Sequence, residues 1–126
     1  MPTSDAYYNL ANVQYSMGKA EAAIKSWAKS LEIDPNLSDA HVNTANVLAL
    51  QMREFERALS HYEAAIRLQT QDGQIRFNYA AVLESAGRLD DAAEAYKQAI
   101  NLGVDRANQN LRNVQAKIIA QKAKSE

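Results

Sequence analysis

The chain contains no cysteine. That excludes disulfides and thiolate zinc sites, and it suits a reducing compartment, so a cytoplasmic or other intracellular location is expected. Two prolines and four glycines in 126 residues leave long uninterrupted elements joined by short turns. No apolar run approaches the roughly 18 residues that a membrane span requires, so no membrane partner is expected. Neither sign of charge dominates: 14 Lys and Arg oppose 15 Asp and Glu, for a formal net charge of −1. Without clustered cations there is no electrostatic footprint for nucleic acid. The start, Met1-Pro2-Thr3-Ser4-Asp5, lacks the basic flank and apolar core of a signal peptide.

Catalytic patterns are equally scarce. His41 and His61 fall on different predicted helices, without a metal-ligand spacing such as i, i+4. There is no glycine-rich phosphate loop and no serine in a nucleophile elbow. Asp90 and Asp91 follow a turn and read as first-turn charges that complement a helix dipole. Lys117, Lys122 and Lys124 read as a solvated end. A protein that is not an enzyme, with no cofactor and no metal, is the expectation.

What the chain does have is a period. Ala11, Ala45 and Ala80 recur at 34 and 35 residues, as do Asn9, Asn43 and Asn78. Trp27, Tyr62 and Tyr96 recur at 35 and 34, with Ala23, Ala58 and Ala92. The change of phase places one extra residue between Ala45 and Ala58. A period of this length means stacked supersecondary units that bury their apolar faces on one another.

Each unit reads as two helices. In the first, Ala6, Leu10, Val13 and Met17 line one face, Gly18 breaks the pattern, and a second helix runs through Ala23 and Trp27 to the boundary at Pro35. In the third, Gly87 separates helices of about 73–86 and 89–102, and Gly103 suits a left-handed C-cap. The second unit has Met52-Arg53-Glu54 in place of the turn glycine, and its longer turn is expected to reverse the chain without a positive φ. Asp72 is a candidate N-cap. Residues 105–124 carry one apolar stripe, Ala107, Leu111, Val114 and Ile118, and read as a capping helix. The N-terminal face of helix one is expected to be uncapped. Small residues recur where helices would touch; Tyr7, Trp27, Phe55, Tyr62, Leu89 and Tyr96 fill the space beside them.

These residues resemble the tetratricopeptide repeat. Unit one carries Ala6-Tyr7-Tyr8-Asn9-Leu10-Ala11-Asn12, Gly18, Ala23-Ile24, Trp27 and Leu31-Glu32-Ile33-Asp34-Pro35-Asn36; unit three carries Gly87, Asp91-Ala92-Ala93-Glu94-Ala95-Tyr96 and Ala99-Ile100. The resemblance implies an all-α fold: a right-handed superhelical array of three helical hairpins at 4–36, 37–70 and 71–104, then a C-terminal solvating helix and tail at 105–126, seven helices in all. It also implies a concave groove, lined mainly by first helices, that holds an extended peptide or a helix. Asn9, Asn43 and Asn78 resemble the asparagine ladder of the superhelical domain of O-linked N-acetylglucosamine transferase, whose amides hold a peptide backbone. An Asn amide supplies both donor and acceptor, as a peptide unit does. Asn12 and Asn46 form a second column that Ala81 breaks. The plainer reading is that these Asn bridge neighbouring helices. Family members that clamp acidic chaperone tails use two Lys and an Arg where this chain has Tyr8, Gln74 and Asn78, so that ligand is not expected.

The expected function is a non-catalytic protein–protein interaction scaffold that binds an extended peptide segment of another protein through Asn9, Asn12, Asn43, Asn46, Asn78, Tyr8 and Phe77. Tyr15, Val42 and Leu50, with Asp5, Asp39 and Glu84, complete the expected groove, although Tyr15 and Leu50 could equally be core. Two alternatives stand beside it. One is a substrate-recruiting segment excised from a larger enzyme such as a glycosyltransferase. The other is a module that associates weakly with itself through the uncapped N-terminal face.

Overall fold

A computed structural model describes residues 2–125. Among them are seven α-helices and no strand: α1 (Ser4–Ser16), α2 (Ala20–Ile33), α3 (Ser38–Leu50), α4 (Phe55–Leu68), α5 (Gly73–Ser85), α6 (Leu89–Asn101) and α7 (Ala107–Ser125). The all-α expectation is met. No helix among the described residues is long and apolar enough to cross a membrane. The helices fall into two compact units, residues 1–68 with α1–α4 and residues 69–126 with α5–α7.

In the first unit α1 packs on α2, α3 on α4, and α2 on α3. Alanine makes these approaches possible: Ala11, Ala23, Ala40, Ala45, Ala58 and Ala65 are completely buried. Trp27 and Tyr62, also buried, occupy the space beside them. Around Trp27, Ala11, Ala23, Ala40 and Val47 form one cluster, flanked by Tyr8, Ile24, Leu31 and Met52. Ser30 stands where the other second helices have Ala65 and Ala99. Its hydroxyl donates to the Ser4 carbonyl at 2.8 Å and so ties the end of α2 to the start of α1. Leu10 and Val13 lie exposed along α1, with Met17 exposed just past its end, whereas Thr44 and Val47, one repeat on from Leu10 and Val13, are buried. In the second unit α6 packs on both α5 and α7. Ala80, Ala92, Ala99 and Ala107 are fully buried, with Tyr96 and Val114 beside them. Asp72 caps α5, its carboxylate accepting from the Gln74 and Ile75 N–H groups.

The turns correct one expectation. In the first and third hairpins the turn closes through Lys19 N–H to Gln14 O and Arg88 N–H to Leu83 O, both five residues back at 2.9 Å. In the second hairpin Glu54 N–H reaches Leu48 O, six residues back, also at 2.9 Å, which locates the extra residue inside the turn. The residue before each donor has positive φ: Gly18 (80°), Gly87 (81°) and Arg53 (52°). The longer turn therefore does not escape the left-handed conformation; it forces an arginine into it. Only glycine adopts that conformation without a Cβ clash, which costs other residues roughly 1–2 kcal/mol. The Arg53 guanidinium lies 5.0 Å from the centre of the Phe55 ring, an exposed contact that offsets about 0.5 kcal/mol. Arg53→Gly is therefore expected to raise stability by about 0.5–1.5 kcal/mol, and Gly87→Ala to lower it by about 1–2 kcal/mol. Urea denaturation of the two variants measures both.

The two histidines meet across the second hairpin. Their Nδ1 atoms are 3.0 Å apart, and His41 Nε2 lies 3.0 Å from the Pro35 carbonyl. A carbonyl only accepts, so His41 carries its proton on Nε2 and accepts at Nδ1; in the neutral pair His61 Nδ1–H is the donor. Burial, then the charges of His41 and Arg57, pull the His61 pKa from 6.5 down to about 4. The unfolded chain thus binds more protons between those values. His61 contributes stability fully above about 6.5, and that contribution is lost as pH falls toward 4. The melting temperature should fall between pH 7 and pH 5, and less steeply in His61→Gln, as thermal denaturation over a pH series will register.

Candidate functional site

The first unit carries a cleft of about 380 Å³ between α1 and α3, lined by Asn12, Tyr15, Ser16, Trp27, Asn43, Asn46, Val47 and Leu50. None of these side chains is charged. Tyr15 and Leu50 are not core: they are 43% and 79% exposed. The Tyr15 ring sits 6.2 Å from Trp27, and its hydroxyl accepts from the Gln51 side chain at 2.9 Å.

The amides of the cleft are set from behind by buried donors on the second helices. The Trp27 indole, which can only donate, gives its Nε1–H to Asn12 Oδ1 at 3.1 Å. One repeat on, the Tyr62 hydroxyl donates to Asn46 Oδ1. Burial pushes the Tyr62 pKa up to about 12, which keeps that hydroxyl a donor. Each bond takes the carbonyl end of its amide and leaves the NH₂ end free. Asn43 is turned the other way. Its NH₂ donates to Tyr8 Oη at 3.2 Å and to Asn12 Oδ1 at 3.4 Å, which leaves its Oδ1 free. Tyr8, Asn12, Asn43 and Asn46 thus come together in one unit. Asn9 is exposed on α1 and bonds to no other described side chain.

The second unit replaces the missing Asn at Ala81 with other groups. Here the Tyr96 hydroxyl donates to Glu84 Oε1 at 2.9 Å and accepts from Asn110 of α7 at 3.4 Å. Burial, reinforced by Glu84, lifts the Tyr96 pKa to about 12. Glu84 also meets Lys117 Nζ at 2.5 Å, so its acid is engaged on both oxygens. Phe77 packs edge-on against Tyr96, centroids 5.7 Å apart. Asn78 accepts from Gln74 Nε2 at 2.8 Å. Gln74 in turn accepts from Arg106 at 2.6 Å, and the Arg106 guanidinium lies 4.4 Å from the centre of the Phe77 ring. Gly73 makes this meeting possible: a Cβ there would stand 2.8 Å from Val104 Cγ2 and 2.9 Å from Leu102 Cβ, so only glycine lets residues 102–104 close on the start of α5.

Sequence reasoning missed Arg106, Gln51 and the orienting parts played by Trp27 and Tyr62. The aligned recurrence of Trp27 with Asn12 and of Tyr62 with Asn46, set against Tyr96 with Ala81, was the signal available for the last of these. Arg106 falls outside the repeated segments and leaves no periodic trace. Among the described residues no group of three His, Asp or Glu is placed to hold a metal ion.

Antiparallel hairpins on one length, each pinning a buried second-helix aromatic beneath its first helix, define a helical-hairpin repeat protein. The chain belongs to the tetratricopeptide repeat family: models of that repeat match residues 4–37 and 47–110. It is 30% identical over 95 residues to the type IV pilus assembly protein PilF of Pseudomonas aeruginosa, and the match spans 75% of this chain but 37% of that protein. Among solved structures it is similar to the first tetratricopeptide repeat domain of Spaghetti (RPAP3) bound to the HSP90 peptide SRMEEVD. That likeness has a TM-score of 0.83 at 19% identity, over 93% of this chain and 94% of the other. It is also similar to a MamA RS-1 double mutant, with a TM-score of 0.84 at 20% identity, over 94% of this chain and 67% of the other. At these identities the two structures establish the fold.

Asn12→Ala should strand the buried Trp27 N–H and leave the Asn43 NH₂ with Tyr8 Oη alone, costing about 1–3 kcal/mol. Asn9→Ala, on an exposed face, should stay within about 0.5 kcal/mol of the parent. Chemical denaturation distinguishes the two directly.

Proposed function

We propose that the chain is a non-catalytic interaction module that holds an extended peptide of another protein along α1 and α3. The reading is carried by one observation: the α1–α3 cleft has an apolar, uncharged lining and amides whose outward ends are already chosen. A peptide backbone presents carbonyls and N–H groups in alternation. The free NH₂ ends of Asn12 and Asn46 match its carbonyls, and the free Oδ1 of Asn43 matches an N–H. Because these amides are preset, little side-chain entropy is lost on binding. Trp27, Tyr15, Val47 and Leu50 offer the accompanying side chain an apolar seat. With no charge in the lining, an apolar residue fits there better than an acidic or basic one.

Tyr8 serves this site through Asn43, whereas Phe77 and Asn78 belong to the second unit and Asn9 to the exposed face of α1. The likeness to an asparagine ladder is thus narrower in use than in sequence, since Asn43 offers one end of its amide rather than both. The neighbour that carries an HSP90 peptide lends support to a peptide as the class of ligand. The likeness to PilF favours a second reading, in which the hairpins are part of a larger scaffold for pilus assembly; the chain spans about a third of that protein's length.

The test is a screen of immobilised unstructured peptides, followed by solution titration of the strongest binder. Selected peptides should share an apolar anchor residue. Leu50→Asp, at a position too exposed to matter for folding, should weaken binding roughly ten- to a hundredfold, the equivalent of one lost apolar contact, with the melting temperature unchanged. Equal binding by Leu50→Asp and the parent would place the peptide elsewhere.

A further inference from the structure

We propose that His41 and His61 form a binding site for a monovalent, two-coordinate metal ion of the Cu(I) class, seated between their Nδ1 atoms. No spacing along the chain announces the site, because the two residues stand 20 apart; the α3–α4 hairpin makes the pair. The fold does not require it. One repeat back the same two positions hold Tyr7 and Ser26, and one repeat on they hold Arg76 and Ala95.

The Nδ1 atoms are 3.0 Å apart and the ring centres 5.3 Å apart, so both nitrogens lie close to the line that joins the rings. Each ring therefore aims its Nδ1 straight at the other. In the neutral pair a proton occupies that line. A metal ion in its place is bound linearly, by one nitrogen from each side. With metal–imidazole bonds of about 2 Å, the nitrogens have to part to roughly 4 Å. Both residues are only partly buried, which leaves room for that movement. The 41° tilt between the rings is no obstacle, since a linear arrangement leaves each ring free to turn about its own metal bond.

The donors are prepared. His41 gives its Nε2–H to the Pro35 carbonyl at 3.0 Å, which keeps a lone pair on Nδ1; a carbonyl behind a ligating histidine fixes its orientation and raises its basicity. His61 has only to move its proton from Nδ1 to Nε2. Binding at neutral pH therefore takes up and releases no net proton, and no electron is transferred. Burial keeps His61 uncharged there, with its pKa held at about 4.

The surroundings select the ion. Among the described residues no third His, Asp or Glu joins the pair to hold a metal, so an ion that seeks four or six ligands is poorly served. Arg57, whose charge acts on His61, repels a divalent ion more than a monovalent one, and its own partner is Glu54 at 3.1 Å. Imidazole is a good ligand for copper. A monovalent ion satisfied by two imidazoles meets all of these conditions.

The test uses the full chain without an affinity tag, ¹⁵N-labelled at histidine, in chloride-free buffer at neutral pH. Ag(I), as nitrate, is the redox-stable probe; Cu(I) under anaerobic conditions is the second and Zn(II) the third. Nuclear magnetic resonance should show both Nδ1 signals shifting with an equimolar amount of Ag(I) or Cu(I), split by the silver nucleus in the first case, and staying in place with Zn(II). His41→Gln and His61→Gln should each weaken Ag(I) binding by more than the roughly ten- to hundredfold that losing a group behind a ligand costs. The exposed thioether of Met17 is a rival soft donor, and Met17→Leu should bind as the parent does. The nitrogen signals of the parent decide the matter even if a histidine variant fails to fold. Signals that stay fixed with both monovalent ions, Ag(I) binding unchanged in a folded His41→Gln, Ag(I) binding lost in Met17→Leu, or an equal response to Zn(II) would each overturn the proposal.

Discussion

The structure depends on helices coming close together at alanine. Ridges of one helix can enter the grooves of another at an axial separation of about 8–10 Å only where contact residues are small. Ala11, Ala23, Ala45, Ala58, Ala80, Ala92 and Ala99 supply that condition in hairpin after hairpin, all with no accessible surface. Once two helices are that near, an aromatic beside the contact has nowhere to go but between them. Trp27, Tyr62 and Tyr96 are buried for this reason. A buried indole N–H or phenol O–H cannot be left unpaired without a penalty on the order of 1–3 kcal/mol. The first helix must therefore provide an acceptor.

That requirement links packing to the candidate site. In the first two hairpins the acceptor is Asn12 or Asn46, and taking its carbonyl oxygen turns its NH₂ outward. Asn43 is then turned the opposite way by Tyr8 and by Asn12 itself. The third hairpin solves the same problem differently: Glu84 accepts from Tyr96, Asn110 of α7 donates to it, and Lys117 neutralises the acid. The α7 helix is thus more than an apolar cover for the last hairpin. It completes the polar network that Ala81 leaves open, and Arg106 just ahead of it reaches back to Gln74 of α5.

Much of this was legible in the sequence. The alanine columns, the turn glycines at 18 and 87 and the single apolar stripe of α7 report local geometry, and local geometry repeats with the period. The seven helices followed from them. The turn at 51–54 was misjudged because a missing glycine suggested a missing positive φ; in fact the reversal demands one, and Arg53 adopts it. Tyr15 and Leu50 were undecided because hydrophobicity alone does not separate a core residue from the wall of a cleft. The candidate site was harder still. Asparagine columns can be counted in a sequence, but which end of each amide faces outward depends on a donor 15 or 16 residues away. Arg106 was invisible for a related reason: it acts across 32 residues on Gln74, through an approach that Gly73 permits.

The central claim is that buried aromatic donors decide what the groove amides offer. Hydrogen exchange of side-chain N–H groups, followed by nuclear magnetic resonance on the free protein, tests it without a ligand. The Trp27 indole N–H and the Asn43 NH₂, both engaged, should exchange slowly, while the NH₂ groups of Asn12 and Asn46 should exchange near the rate of a free carboxamide. Slow exchange at Asn12 and Asn46 with fast exchange at Trp27 would contradict the account, because the amides would then be held by their donor ends.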